Sequence, residues 1–144
     1  MNTGRNEALK ILAKKDISTK KIREKLLAKG FSLEEVDSEI ENLKKKKLLN
    51  DEKIKERMKE VYLEKGKGYF YLKYHFEKEG ISEDFELTFE EETKSALKVI
   101  KQKKMKKSDL KDSKKKIKMM LFLSRRGFRQ EAISKAFNLF LGKI

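Results

Sequence analysis

The chain predicts an all-α fold made of three tandem three-helix repeats, and three observations carry that expectation. The first is a repeated glycine setting. Leu26 and Phe31 around Gly30, Phe76 and Ile81 around Gly80, and Leu123 and Phe128 around Gly127 each place a large apolar residue four before the glycine and another directly after it. Glycine takes the left-handed conformation there without a Cβ clash, and the following apolar residue folds back onto the last helical turn. Gly30, Gly80 and Gly127 are therefore expected as helix C-caps. The second observation is spacing: the glycines lie 50 and 47 residues apart, so 144 residues hold three such units. The third is the absence of proline, which leaves no segment barred from helix.

The elements follow from caps and periodicity. Ala8, Leu9 and Leu12 form a short apolar stripe in a helix over roughly 6–15. Ser18 caps a second, 19–29, that carries Ile22, Leu26 and Leu27 and stops at Gly30. Ser32-Leu33-Glu34-Glu35 has the form of a capping box, a hydroxyl at the cap and a carboxylate three residues on. It opens a third helix, 33–46, with Val36, Ile40 and Leu43 on one side. Residues 1–49 are thus the first repeat.

Asn50 or Asp51 opens the second repeat, 50–88. Its first helix turns Ile54, Met58, Val61 and Tyr62 inward and breaks at Gly66-Lys67-Gly68. Tyr69 to Glu79 is its second helix, and Ser82 starts a short third one through Phe85 toward Leu87. The third repeat, 89–144, begins from another capping-box pattern, Thr88-Phe89-Glu90-Glu91, with Ala96, Leu97 and Ile100 inward. Lys101 to Asp112 reads as a mobile, Lys-rich connector. A helix with Ile117, Met120, Leu121 and Leu123 then runs to Gly127, and a last helix carries Ile133, Ala136, Phe137 and Phe140. Repeats of this size are near the lower limit for folding alone, so neighbours are expected to stack into an elongated, curved array.

Composition narrows the function. With no cysteine there are no disulfides, no thiol catalysis and no thiolate metal sites, and a reducing, cytoplasmic setting is expected. The start of the chain has no secretory apolar stretch. The longest strongly apolar run, Met119 to Leu123, falls far short of the ~20 residues that span a bilayer, so no membrane partner is expected. The formal net charge is +14, and it is segregated. Residues 1–50 carry +5, residues 51–93 carry −5, and residues 94–144 carry +14. A field this lopsided attracts polyanions or an acidic protein groove.

Chemistry-bearing motifs are few. His75 is the only histidine: a metal site would need carboxylates gathered around one imidazole, and no Ser-His-Asp set stands out, so a structural histidine is expected, with no metal and no cofactor. Gly66-Lys67-Gly68 lacks the spacing and the Ser/Thr of a phosphate-binding P-loop and reads as an interhelical turn with a surface lysine. In the aromatic cluster Tyr69 to Phe76, the positions Tyr69, Leu72 and Phe76 share a core face, and Tyr71 is the expected exposed ring, in a setting where aromatics between cations can stack unpaired bases. Lys103, Lys104, Lys106 and Lys107, then Lys114, Lys115 and Lys116, make two basic clusters, followed by Arg125, Arg126 and Arg129. With Lys65 and Lys67 these are the candidate polyanion contacts, assigned on charge. The helices flanking Gly127 also admit a helix-turn-helix, with Arg129, Gln130, Ser134, Lys135 and Asn138 offered to base edges. The same glycine setting at Gly30 and Gly80 favours a structural repeat.

Three stretches carry a family resemblance. One is the Ser18…Leu26…Gly30 helix followed by Leu48-Leu49-Asn50-Asp51. The second is Lys65-Gly66-Lys67-Gly68 with Leu72, then Lys78-Glu79-Gly80-Ile81-Ser82, similar to a "K-G-I-S" helix end. The third is Lys116-Ile117 through Phe122-Leu123-Ser124-Arg125-Arg126-Gly127-Phe128, similar to "R-F-L-x-x-R-G-F". The ordered set resembles the RecX regulatory proteins of bacteria, which modulate the RecA recombinase. The chain departs from that pattern in lacking an aromatic in its first helix and in placing Glu86 where an apolar residue is common. The resemblance implies three tandem three-helix repeats and a protein that is not an enzyme. It implies a partner, the RecA–DNA filament, whose growth, ATP hydrolysis and strand exchange are inhibited, and direct binding to single- or double-stranded DNA; a monomer is expected. The alternative from charge alone is a helical DNA-binding protein that acts without a recombinase.

Overall fold

The computed structural model describes residues 3–143. Eight α-helices make up the described chain, with no strand among the described residues: α1 Gly4–Lys14, α2 Thr19–Ala28, α3 Leu33–Lys45, α4 Asp51–Glu64, α5 Tyr69–Glu79, α6 Phe89–Gln102, α7 Ser113–Arg125 and α8 Gln130–Phe140. A single 3-10 turn, Asp109–Lys111, precedes α7.

Local chemistry sets the helix starts. The hydroxyls of Thr3, Ser18 and Ser32 accept the N–H groups of Asn6, Lys21 and Glu35, each covering one of the donors a helix leaves unpaired at its first turn. Thr88 and Glu91 form a full reciprocal box, Thr88 Oγ1 accepting from Glu91 N–H at 3.1 Å and Glu91 Oε1 accepting from Thr88 N–H at 3.4 Å. The expected box at Ser32 is only half made. The Glu35 carboxylate turns away to accept the Gly4 N–H at the start of α1, at 3.0 Å.

Helix ends follow the glycine setting. Gly30, Gly80 and Gly127 have φ of +92°, +79° and +94°. In each, the residue after the glycine donates to the carbonyl five residues back: Phe31 to Leu26, Ile81 to Phe76, Phe128 to Leu123. Those are the same apolar pairs that the sequence marks, and the bond brings them together over the last turn. Lys47, at φ +58°, closes α3 in the same way with Leu48 donating to Leu43. There a lysine accepts the strain that the glycines avoid.

The chain forms two compact units. One comprises the chain through Arg57 with Phe76–Glu83. Its core is Ala8, Ile17, Ile22, Leu26, Val36, Ile40, Leu43 and Leu49, drawn from α1, α2, α3 and their joining segments. The start of α2 is held by carboxylates from elsewhere in the chain. Glu79 accepts the Ser18 N–H at 3.3 Å, and Asp51 accepts the Thr19 N–H at 2.8 Å. Negative charge at a helix N-terminus is favourable against the macrodipole. Asn50, not Asp51, therefore caps α4, taking the Lys53 N–H.

The other unit comprises Met58–His75 and the chain from Asp84. Its core is built from α6, α7 and α8: Ala96, Val99, Ile100, Leu110, Met119, Leu123, Phe128, Ile133, Ala136 and Phe137. α6 and α8 pack along one another as the main pair.

Four further details depart from the sequence expectation. No helix forms over Ser82–Leu87; a turn at Glu83 and Asp84 fills the segment, with Asp84 at φ +58°, so residues 50–88 carry two helices. The connector is ordered in part: α6 continues to Gln102, Leu110 is buried, and Asp109 accepts the Lys106 N–H at 2.8 Å. On α7 the buried positions are Met119 and Leu123, which join the core with Leu110 and residues of α6 and α8, while Ile117 and Leu121 are exposed. Val61 likewise faces outward on α4.

The two terminal glycine caps separate strain from space. A Cβ on Gly30 would meet nothing within 4 Å, whereas one on Gly127 would lie 2.6 Å from the Tyr71 backbone nitrogen and 2.9 Å from its Cβ. Gly30→Ala should destabilise by about 1–2 kcal/mol, the left-handed penalty alone. Gly127→Ala should cost clearly more, and Gly127→Val more again. Equal urea midpoints for Gly30→Ala and Gly127→Ala would show that the close approach to α5 is not rigid.

Candidate nucleic-acid interface

The end of α7 and the start of α5 are joined backbone to backbone. A helix leaves carbonyls unpaired at its C-terminus and N–H groups unpaired at its N-terminus, and here one set satisfies the other. Gly68 N–H donates to Arg126 C=O at 3.0 Å, and Phe70 N–H to Gly127 C=O at 2.9 Å. Gly68 is required by proximity: a Cβ on it would sit 2.5 Å from Phe128 Cα.

Glu92 completes the junction from α6. Its side chain is fully buried and accepts the Tyr69 N–H at 2.8 Å, the Arg129 N–H at 2.9 Å and the Arg129 Nε–H at 2.7 Å. The carboxylate thus caps α5 and α8 at once. Arg129 also donates to Leu87 C=O at 2.7 Å, and its guanidinium lies 4.2 Å from the Tyr69 ring centroid and 3.9 Å from that of Phe89. Arg126 closes the end of α4, giving Nε–H to Gly66 C=O at 2.8 Å and an Nη2 hydrogen to Lys65 C=O at 2.6 Å. Ser95 Oγ donates to Leu63 C=O at 2.9 Å on the same helix end. Of the three arginines marked on charge, two therefore direct their donors into the protein, and Arg125 is exposed.

The remaining marked cations stay at the surface, and contacts link several of them. Lys67 lies 4.7 Å over the Tyr71 ring. Its pKa is lowered, first by partial burial and then by the repulsion of Arg126 and Lys65. A phosphate placed among the three would relieve that repulsion. Lys103 lies 4.3 Å over the Phe122 ring, and Arg126 lies 5.5 Å from the same ring. Lys103, Lys115, Lys118 and Arg125 rim a depression of ≈ 440 Å³ whose apolar lining is Met105, Met119 and Phe122. Asp109 is the one carboxylate among the described residues that line it. The Lys106 N–H and the Lys115 ammonium hold its pKa below the usual carboxylate range. The structure so connects Lys65, Lys67 and Arg126 through Phe122 and Lys103 to Lys115 and Arg125. Lys104, Lys106, Lys107, Lys114 and Lys116 are exposed and lie near this surface in sequence.

Three participants escape sequence reasoning. Lys118 belongs to the lysine run, but only the turn of α7 puts it on the rim. Phe122 is half-buried and carries two cations. Glu92 is one of three consecutive glutamates, Glu90, Glu91 and Glu92, and nothing local marks it as the buried one. Tyr71 is half-buried rather than exposed; the exposed rings on α5 are Phe70 and Tyr74. His75 is half-buried and packs 4.3 Å from the Tyr71 ring centroid. Among the described residues, no group of acidic, histidine or cysteine side chains is placed to hold a metal, and no helix is long and apolar enough to cross a membrane.

No family model matches the chain. The Regulatory protein RecX of Caldanaerobacter subterraneus subsp. tengcongensis is 31% identical to it over 142 residues, covering 94% of this chain and 69% of that protein. The chain belongs to the RecX family. The crystal structure of RecX from Lactobacillus salivarius matches it with a TM-score of 0.80 over 95% of this chain and 94% of that one, at 21% identity, which shows a shared fold. The RecX-like stretches Lys65–Gly68 and Ser124–Phe128 are the two sides of the α4–α5 and α7–α8 junction described above. In this RecX-family chain their glycines and Arg126 therefore serve the backbone first.

Glu92→Gln keeps the size of the side chain but removes its charge and sets an amide donor against Arg129. Removing one partner of a buried pair typically costs ~3–5 kcal/mol, and a loss of about 3 kcal/mol is expected in urea unfolding. Glu92→Gln/Arg129→Met should recover part of it. An unchanged midpoint for Glu92→Gln would remove the carboxylate from its capping role.

Proposed function

We propose that this chain is a non-enzymatic regulator of the RecA recombinase that binds the RecA–DNA filament and restrains its growth, ATP hydrolysis and strand exchange. Membership of the RecX family is the observation that carries the reading. The linked basic surface from Lys65 and Lys67 to Lys115 and Arg125 supports a contact with the filament's DNA or with acidic protein. In this reading Lys103, Lys104, Lys106, Lys107, Lys114, Lys115, Lys116 and Arg125 make the contacts, with Lys65 and Lys67 at the edge. Arg126 and Arg129 hold the surface in shape. The three tandem repeats at 1–49, 50–88 and 89–144, the extended array they would form and a monomeric state belong to the same proposal, since a long arm can follow a groove across more than one filament subunit.

A titration into recombinase turning over ATP on single-stranded DNA tests it. Hydrolysis should fall as the protein is added, and Lys103→Glu/Lys115→Glu/Arg125→Glu should lose most of that effect while keeping the wild-type melting curve. Undiminished hydrolysis at saturating protein rules the reading out. DNA binding without any effect on hydrolysis would favour a DNA-binding protein that acts alone. Salt separates the two contributions. Each phosphate contact removed should lower the log–log salt slope for bare DNA by about 1, and the slope for the filament should be shallower than for bare DNA.

A further inference from the structure

The outward face of α5 has an unusual composition. Its exposed residues are Phe70, Lys73, Tyr74, Glu77 and Lys78. Phe70 and Tyr74 are each 59% exposed, and four residues apart on a helix they are neighbours on one side. A large aromatic left in water costs free energy unless something covers it. On α5 no exposed aliphatic side chain joins them, as would be expected of a protein-docking stripe; the exposed neighbours on the helix are Lys73, Lys78 and Glu77. Lys73 lies 5.9 Å from the Tyr69 ring, which itself packs edge-on against Phe70 at 5.3 Å. Tyr74 continues into His75, Tyr71 and Lys67 through ring contacts of 5.2, 4.3 and 4.7 Å. The Phe70 N–H bond to Gly127 C=O ties this end of α5 to the end of α7.

We propose that Phe70 and Tyr74 are a stacking platform for unpaired bases, and that they make the adjoining basic surface select single-stranded over duplex DNA. The inference rests on the proposal that this surface contacts DNA. Bases offer their faces to a ring only when they are out of a duplex stack, whereas phosphates are presented by both forms. Lysines alone would bind either form. Rings interleaved with lysines add affinity for one of them.

The test needs no recombinase. A thymidine oligonucleotide and a duplex of mixed sequence are titrated with wild type, Phe70→Ala/Tyr74→Ala, and the charge variant Lys103→Glu/Lys115→Glu/Arg125→Glu. The alanine pair should weaken single-strand binding by roughly tenfold or more and leave duplex binding within about twofold. The ring-preserving pair Phe70→Tyr/Tyr74→Phe should restore it, which separates stacking from folding. The chain has no tryptophan, so Phe70→Trp supplies a single indole fluorophore, quenched by the oligonucleotide and not by the duplex. Unchanged single-strand affinity in the alanine pair, or no quenching of the Phe70→Trp variant by a bound oligonucleotide, overturns the proposal. A loss on charge reversal with none in the alanine pair overturns stacking and leaves the charge reading standing. No binding of wild type to either DNA overturns both.

Discussion

The carboxylate of Glu92 is the constraint on which the second unit depends. It is out of water and collects three donors, two of them backbone N–H groups at the first turns of α5 and α8. A helix start is the positive end of its dipole, so one buried anion there opposes two such ends and the Arg129 guanidinium together. Desolvating a carboxylate is costly unless its lone pairs are filled, and this geometry fills them. With Tyr69 and Arg129 fixed to one group, the rotation of α5 and α8 about their axes has little freedom left. The faces that α5 shows to solvent follow from that.

The same device recurs elsewhere in the chain. Glu35 takes the first N–H of α1, while Asp51 and Glu79 take N–H groups at the start of α2. A chain with 43% charged residues and a thin apolar core uses acidic side chains as caps for helices distant in sequence. Arginine does the converse at the end of α4, where Arg126 supplies two donors to consecutive carbonyls. A lysine could not span both with a planar fork. The excess of lysine over acid is consequently left outside, where it stays available to a polyanion.

Local signals made much of this fold legible. Ser18, Ser32 and Thr88 cap where hydroxyls precede apolar periodicity, and Gly30, Gly80 and Gly127 stop helices because only a residue free of Cβ reaches the left-handed region cheaply. The family was legible too, since its marked stretches are those junctions. Most of the failures share a cause: they depended on a partner far along the chain. Arg129 reads as one more surface cation until Glu92, 37 residues earlier, is placed against it. Ser32-Leu33-Glu34-Glu35 reads as a closed box until the Gly4 N–H competes for the carboxylate. Phe70, Tyr71 and Tyr74 lie within two turns, and periodicity cannot say which faces out. The docking of α5 onto Gly127 decides it. Ser82–Leu87 holds a cap and apolar residues but too few positions for a stable helix once Asp84 turns left-handed.

This division changes how the basic residues should be interpreted. Arg125 and Arg126 are adjacent in sequence and identical in charge, yet one is exposed and the other closes α4. Loss of Arg126 or Arg129 acts through the junction, so its effect on any partner would follow the unfolding curve and would not vanish at high salt. Loss of Lys103, Lys115 or Arg125 acts through the field outside the protein, so its effect should shrink as salt screens the surface. The size of a cation's phenotype alone does not separate the two classes. Salt dependence does, because ions screen the exposed rim lysines far more than a guanidinium held between Glu92, Tyr69 and Phe89.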